Sequence, residues 1–319
     1  MGYAQKKFKT AAGVKTGAAA AAAVILTGAL LLGGCAGKES GDTLESTARH
    51  TAAYVLEQTP APGVASVGGE WAVIGLKAGG HEVKEQYYDS YYDTVRAAVK
   101  AKKGELSDTH YTEYARVSLA LCAIGKDPGQ VEGYNLVEPL DNYEMIDEQG
   151  MNAAAFALVA SNVSGIPLKQ EDAYIQLIID ALEEDQMFEN KDAADYVAIA
   201  LEGLSFYQSD SQVKAVLEEG VQALSEYQEK DGSYGNCETT AECIMALSQL
   251  GIDVQTDERF IKDGNTMYDG LMVYQMKDGG FCHVTERKKA DAMAAEKALL
   301  AMDSMILLKD HQTLYKGVL

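Results

Sequence analysis

Six points along the chain set a carboxylate or amide at the start of an apolar run, several beside an aromatic: Glu70-Trp71, Glu113-Tyr114, Asn152, Asp195-Tyr196, Glu238 and Glu296. Acids and aromatics gathered at one opening could hold a cationic or sugar-like ligand through cation–π contacts and hydrogen bonds. Acids at helix starts also meet a local need, because the first turn leaves backbone N–H groups without partners. Both readings stand at this point. Two carboxylates across such an opening could serve as acid and base on a glycan, although no motif accompanies that chemistry. Asp192 and Asp195, spaced i,i+3, share one helix face, where one acid can raise the pKa of the other. Routine N-terminal capping accounts for the same spacing. Cys237 could meet Cys282-His283 as zinc ligands, but a structural zinc site normally needs four. No metal and no cofactor is therefore expected. Cys122 and Cys243 lie inside apolar helical stretches and read as small buried hydrophobes. Nucleotide-binding loops, Ser-centred elbows and HExxH are absent.

A different chemistry is written at the N-terminus. Lys6, Lys7, Lys9 and Lys15 precede any acid, an Ala- and Leu-rich run follows, and Leu32-Gly33-Gly34-Cys35 closes it. A basic region, an apolar core and small residues before a cut are the order of a secretory signal. Leu32-Gly33-Gly34-Cys35 resembles the lipobox of bacterial lipoproteins. The resemblance implies that the Cys35 thiol takes a diacylglycerol and that cleavage falls just before it. The expected organisation is a signal peptide over 1–34, a lipidated Cys35 with a small, polar tether over 35–45, and one domain over 46–319. The implied location is the cell membrane, lipid-anchored, on the extracytoplasmic face, and the implied partner of Cys35 is the lipid bilayer.

Composition bounds the rest. The 319 residues carry a net charge of −21, and the four lysines ahead of Cys35 are unopposed, so the remainder is more acidic still. Such a chain is repelled by nucleic acid, which is excluded as a partner. Hydrophobic residues make up 47%, enough for a sizeable core, and only 5 prolines interrupt the chain. Six Ala- and Leu-rich segments recur, at 68–80, 111–127, 149–165, 193–208, 237–253 and 292–308. Their starts are about 40 to 55 residues apart, a spacing typical of helical-hairpin arrays. Being apolar most of the way round, they predict buried helices. Between them lie amphipathic stretches at 48–59, 87–104, 129–146, 170–185, 210–230 and 257–277, each with one apolar stripe and one charged face. Six buried helices alternating with six amphipathic ones predict an all-α fold, a closed (α/α)6 toroid. An open array would need polar capping repeats, whereas the first buried candidate is as apolar as the middle ones. The tyrosine-rich run Tyr87-Tyr88-Asp89-Ser90-Tyr91-Tyr92 falls on an amphipathic stretch and suggests a partner-facing surface.

The connecting turns carry a family resemblance. Gln228-Glu229-Lys230-Asp231-Gly232-Ser233-Tyr234 and Gln275-Met276-Lys277-Asp278-Gly279-Gly280-Phe281 share one pattern. Asp opens a turn, Gly takes a left-handed conformation after a helix, and the aromatic folds back. Leu182-Glu183-Glu184-Asp185-Gln186-Met187-Phe188 is an eroded copy, with Gln and Met where two glycines are usual. The pattern resembles the QW motif of squalene and oxidosqualene cyclases and the repeat of protein prenyltransferase β subunits. With its GGEWAVIGL and YTEYAR segments, the chain is similar to prenyltransferase/squalene-oxidase-repeat lipoproteins of Gram-positive bacteria. The fold so implied is also that of cobalamin carriers and thioester-containing complement domains. The family's chemistries are incomplete here. The cyclase DxDD cluster and the thioester GCGEQ segment are absent. Of the prenyltransferase zinc ligands, Cys237 falls at the Cys position, Gly235 replaces the Asp and Ala294 stands near the His. The expectation is a non-catalytic domain whose mouth, formed by Glu70, Trp71, Glu113, Tyr114, Asn152, Asp195, Tyr196 and Glu238, binds a small molecule, glycan or protein. An isoprenoid- or glycan-active enzyme using the acids of that mouth is the alternative.

Overall fold

The computed structural model describes residues 43–66 and 68–317. The expected signal peptide, Cys35 and most of the tether lie outside the described residues. Twelve α-helices run through them: α1 Leu44–Gln58, α2 Glu70–Ala78, α3 Glu85–Ala101, α4 Thr112–Ala123, α5 Tyr143–Gln149, α6 Met151–Ser164, α7 Glu171–Glu184, α8 Ala194–Leu204, α9 Ser211–Tyr227, α10 Cys237–Gln249, α11 Met267–Met272 and α12 Ala292–Lys309. Among the described residues there is no strand, only isolated bridges at turns, and the chain is all-α. None of these helices is long and apolar enough to cross a membrane. The helical body starts at Leu44, where the Thr43 hydroxyl accepts from the Ser46 N–H.

The six Ala-rich segments become α2, α4, α6, α8, α10 and α12, and the amphipathic stretches supply the other six. Each Ala-rich helix packs on the next, and α12 packs on α2. Small residues set the spacing. A Cβ at Gly203 of α8 would lie 2.8 Å from the Ala155 Cα of α6, so only glycine permits that approach. Among the amphipathic helices, α1 lies on α12 and α2, α5 and α7 on α6, α9 on α8, and α11 on α10.

Helix α3 is held through its tyrosines. Tyr87, Tyr88 and Tyr91 are all buried, Tyr91 completely. Their bulk fills the gap under a helix whose other inward residues are only Val95 and Val99. This corrects the reading of the tyrosine run as a partner surface: only Tyr92 stays half-exposed, under the cations of Arg96 and Lys126. Alternation along α3 was the signal, since i, i+1 and i+4 tyrosines share the stripe that Val95 and Val99 continue.

The turns take the expected form. Asp231 Oδ1 accepts from the Ser233 N–H at 3.0 Å and Asp278 Oδ1 from the Gly280 N–H at 3.1 Å. Gly232 and Gly279 have φ of +91° and +88°. Tyr234 and Phe281 are buried, and the Tyr234 hydroxyl donates to the Leu224 carbonyl at 2.7 Å. In the eroded copy Gln186 itself takes φ +51°, so the turn geometry outlives its glycine. Each intact turn abuts a further amphipathic helix: Gly232 lies against Thr266, the N-cap of α11, and Gly270 within it, and Gly279 against His50 of α1. The Gly279 turn thus packs on the first of the described helices.

Candidate functional site

The first turns of the Ala-rich helices carry the predicted mouth residues, and the structure sorts them into two groups. Glu70 opens α2 but is 1% exposed. Its Oε1 accepts from the Ala65 N–H at 2.7 Å and from the Tyr91 hydroxyl at 3.4 Å, and its Oε2 lies 3.7 Å from Arg116 Nε. Burial raises its pKa, opposed by the loop N–H groups and by Arg116. Glu70 thus ties the 63–66 loop, α3 and α4 together. Tyr114 is equally enclosed: its hydroxyl donates to the Ser107 carbonyl at 3.1 Å and its ring rests on Tyr111. Glu238 pairs with His283 Nδ1 at 2.7 Å at a half-exposed position. Glu113 is half-buried in the first turn of α4, and Tyr196 is 45% exposed.

The second group converges. The Trp71 ring of α2 contacts Phe156 of α6 at 5.9 Å between centroids. The ammonium of Lys297, from α12, sits 4.3 Å from the centre of the Trp71 ring. The same ammonium donates to Glu242 Oε2 of α10 at 2.6 Å. From α8, Asp195 and Glu202 are both within electrostatic reach of Glu242, and Glu202 within reach of Lys297. Helix periodicity explains the grouping. Asn152 and Phe156, Glu238 and Glu242, and Met293 and Lys297 are i,i+4 pairs, so each first-turn residue has a partner one turn further along the same stripe of its helix. Met293, above Lys297, is 42% exposed.

Charge is out of balance in this layer. Burial raises the Asp195 pKa, and Glu242 raises it further. Glu202, 1% exposed, is driven well above the carboxylate range by burial and then by Glu242. Glu296 is pushed up to about 7 by burial, with Glu70 adding to it. Neither Glu202 oxygen, nor Glu242 Oε1, nor Asn152 Oδ1 has a hydrogen-bond partner among the described residues. Buried polar atoms usually find partners, and three of these four are carboxylate oxygens, for which a cation or a hydrogen-bond donor is the natural partner. The Tyr315 hydroxyl, from the turn after α12, comes near Glu202 without completing a well-formed hydrogen bond.

No protein-family model matches the chain. No curated protein matches its sequence either. Among the described residues no group of three or more His, Cys, Asp or Glu could hold a metal ion. Cys237 lies near the Ala294 carbonyl and Cys282 near the Tyr274 carbonyl, while His283 is engaged by Glu238. All four described cysteines are unpaired, with thiol pKa values raised first by burial, Cys122 to about 11. Sequence reasoning missed Lys297, Glu242 and Glu202. Their only signal was a charged residue inside a stretch otherwise apolar on every side, which is rare without a partner.

Proposed function

We propose that the chain is a cell-surface lipoprotein whose helical domain is an (α/α)6 toroid with a non-catalytic ligand site at its mouth. The toroid reading is supported by the order of packing, in which successive Ala-rich helices are neighbours and α12 meets α2. It agrees with the resemblance of the turns to terpenoid-cyclase and protein-prenyltransferase repeats. The anchor reading draws on the basic leader, the apolar run and Leu32-Gly33-Gly34-Cys35. Acyl chains contribute about 0.8 kcal/mol per buried CH₂, so the several chains of such an anchor would hold firmly.

The observation that carries the binding role is the convergence of Trp71, Phe156, Glu242 and Lys297 from four helices beside partnerless carboxylate oxygens. Aromatic faces with a few convergent polar groups are the usual lining of a small-molecule site. Catalysis is disfavoured because each catalytic set of the resembled families is incomplete, and fold likeness does not carry activity.

Two measurements test the reading. Cys35→Ala is expected to stay uncleaved or to be released; a processed protein that still fractionates with membranes refutes the anchor. Thermal-shift screening of the detergent-solubilised full chain against glycans, corrinoids, polyprenols and organic cations is expected to find a stabilising ligand whose effect is lost in Glu242→Gln. Turnover of a glycan or polyprenyl substrate, abolished by Asp195→Asn, would replace the binding role by an enzymatic one.

A further inference from the structure

Lys297 is an ammonium group held as a ligand would be held. Its Nζ lies 4.3 Å from the centre of the Trp71 ring and 2.6 Å from Glu242 Oε2. An aromatic face and a carboxylate in a desolvated layer are the standard elements of organic-cation recognition. The acids around it exceed what one ammonium needs. Glu242 keeps a second oxygen without a partner, and the oxygens of Glu202, 1% exposed, have only the imperfectly placed Tyr315 hydroxyl nearby. The Lys297 side chain is 12% exposed and hangs from a flexible four-carbon stem one turn below the exposed Met293. That stem lets the ammonium swing by rotation about side-chain bonds. The strongly negative chain also draws cations toward its surface.

We propose that the site takes an organic amine whose ammonium replaces that of Lys297 between Trp71 and Glu242, with Glu202 supplying further acceptors. This rests on the ligand-binding reading of the same site. Lys297 then acts as an internal competitor. It keeps the buried carboxylates compensated when no ligand is bound, and it lowers apparent affinity by the fraction of time it occupies the cage. Anionic ligands are excluded by the Glu242 carboxylate, with Asp195 beside it. A neutral sugar would leave the ammonium–Trp71 contact intact and gain nothing from it.

Trp71 is the only tryptophan in the chain, so its fluorescence reports this site alone. Spermidine titrated into the detergent-solubilised full-length protein, at an ionic strength of about 0.15 M to screen surface charge, is expected to change that fluorescence saturably. Lys297→Met keeps the stem and removes the competitor, and is expected to bind about tenfold tighter, as loss of one cation–π contact implies. Glu242→Gln should abolish the response, whereas Glu218→Gln, on the exposed face of α9, should leave it unchanged. No saturable change in either wild type or Lys297→Met overturns the amine assignment, and the wild-type titration decides this even where the variant does not fold. Equal responses in wild type and Glu242→Gln would mark surface binding and overturn it as well. Saturation by an uncharged oligosaccharide but not by spermidine would overturn the amine while leaving the binding reading in place. An empty ligand screen, by contrast, would remove the binding reading itself.

Discussion

Replacing His81 with alanine is expected to lower the unfolding free energy by about 3–5 kcal/mol, because it strips a buried carboxylate of its partner. His81 lies in the turn after α2 and Asp303 on α12. His81 Nε2 is 3.0 and 3.1 Å from the two Asp303 oxygens, and the side chains are 7% and 1% exposed. The pair joins the first and last Ala-rich helices, and the neighbouring backbone is tight: a Cβ at Gly79 would fall 2.5 Å from the Asp303 carboxyl. Burial pushes Asp303 up from its ordinary 3.8 to about 6, while His81 holds it down. A carboxyl whose folded value exceeds its free value favours folding as the acid. Its contribution is present in full below about 3.8 and is lost as pH rises through about 6. Without His81 that folded value climbs further. The cost of His81→Ala should therefore be large at neutral pH and shrink in acid, where no charge is buried. Asp303→Asn keeps an acceptor for His81 and should cost less. Urea unfolding across the pH range reads both. A loss under about 1 kcal/mol, or one that does not change with pH, would show that Asp303 is compensated by something other than His81.

Gly232→Ala is expected to be comparably severe, at about 4 kcal/mol or more, because two penalties coincide there. Gly232 has φ +91°, and an added Cβ would lie 2.1 Å from the Thr266 carbonyl oxygen and 3.1 Å from the Gly270 nitrogen. Both are backbone atoms, so no side chain can rotate aside. The pocket for the turn is also closed from the other side, since a Cβ at Gly270 would meet the Gly232 carbon at 2.1 Å. Gly251 is the internal control. Its φ is +82°, yet nothing lies within 4 Å of its added Cβ. Gly251→Ala should therefore cost only the left-handed backbone penalty of about 1–2 kcal/mol. Thermal unfolding of the two variants separates conformation from contact. Equal losses would mean that the turn does not pack tightly on α11.

Much of the fold is legible in the residues. Runs apolar on every side, such as 237–253, have to be enclosed, and amphipathic runs such as 210–230 have to lie over them. The Asp–Gly turns were equally readable, because their geometry is local: an Asp oxygen reaches an N–H two residues on, and the next glycine takes positive φ. Local determination extends even to the degraded copy, where Gln186 adopts the left-handed conformation that the turn demands.

What the residues alone left open is which side chains meet. Periodicity assigns a face to Glu70, Tyr114, Glu242 and Lys297 but not a neighbour. Only tertiary packing turned Glu70 toward Tyr91 and Arg116 and enclosed Tyr114 against the Ser107 loop. Only packing brought Lys297 onto Trp71 and Glu242, residues far apart in the chain. The physical reason is range. Caps, turns and stripes are set within a few residues by backbone geometry and burial. The fate of a buried charge depends on which distant helix supplies its counter-charge, and that is decided when the helices dock.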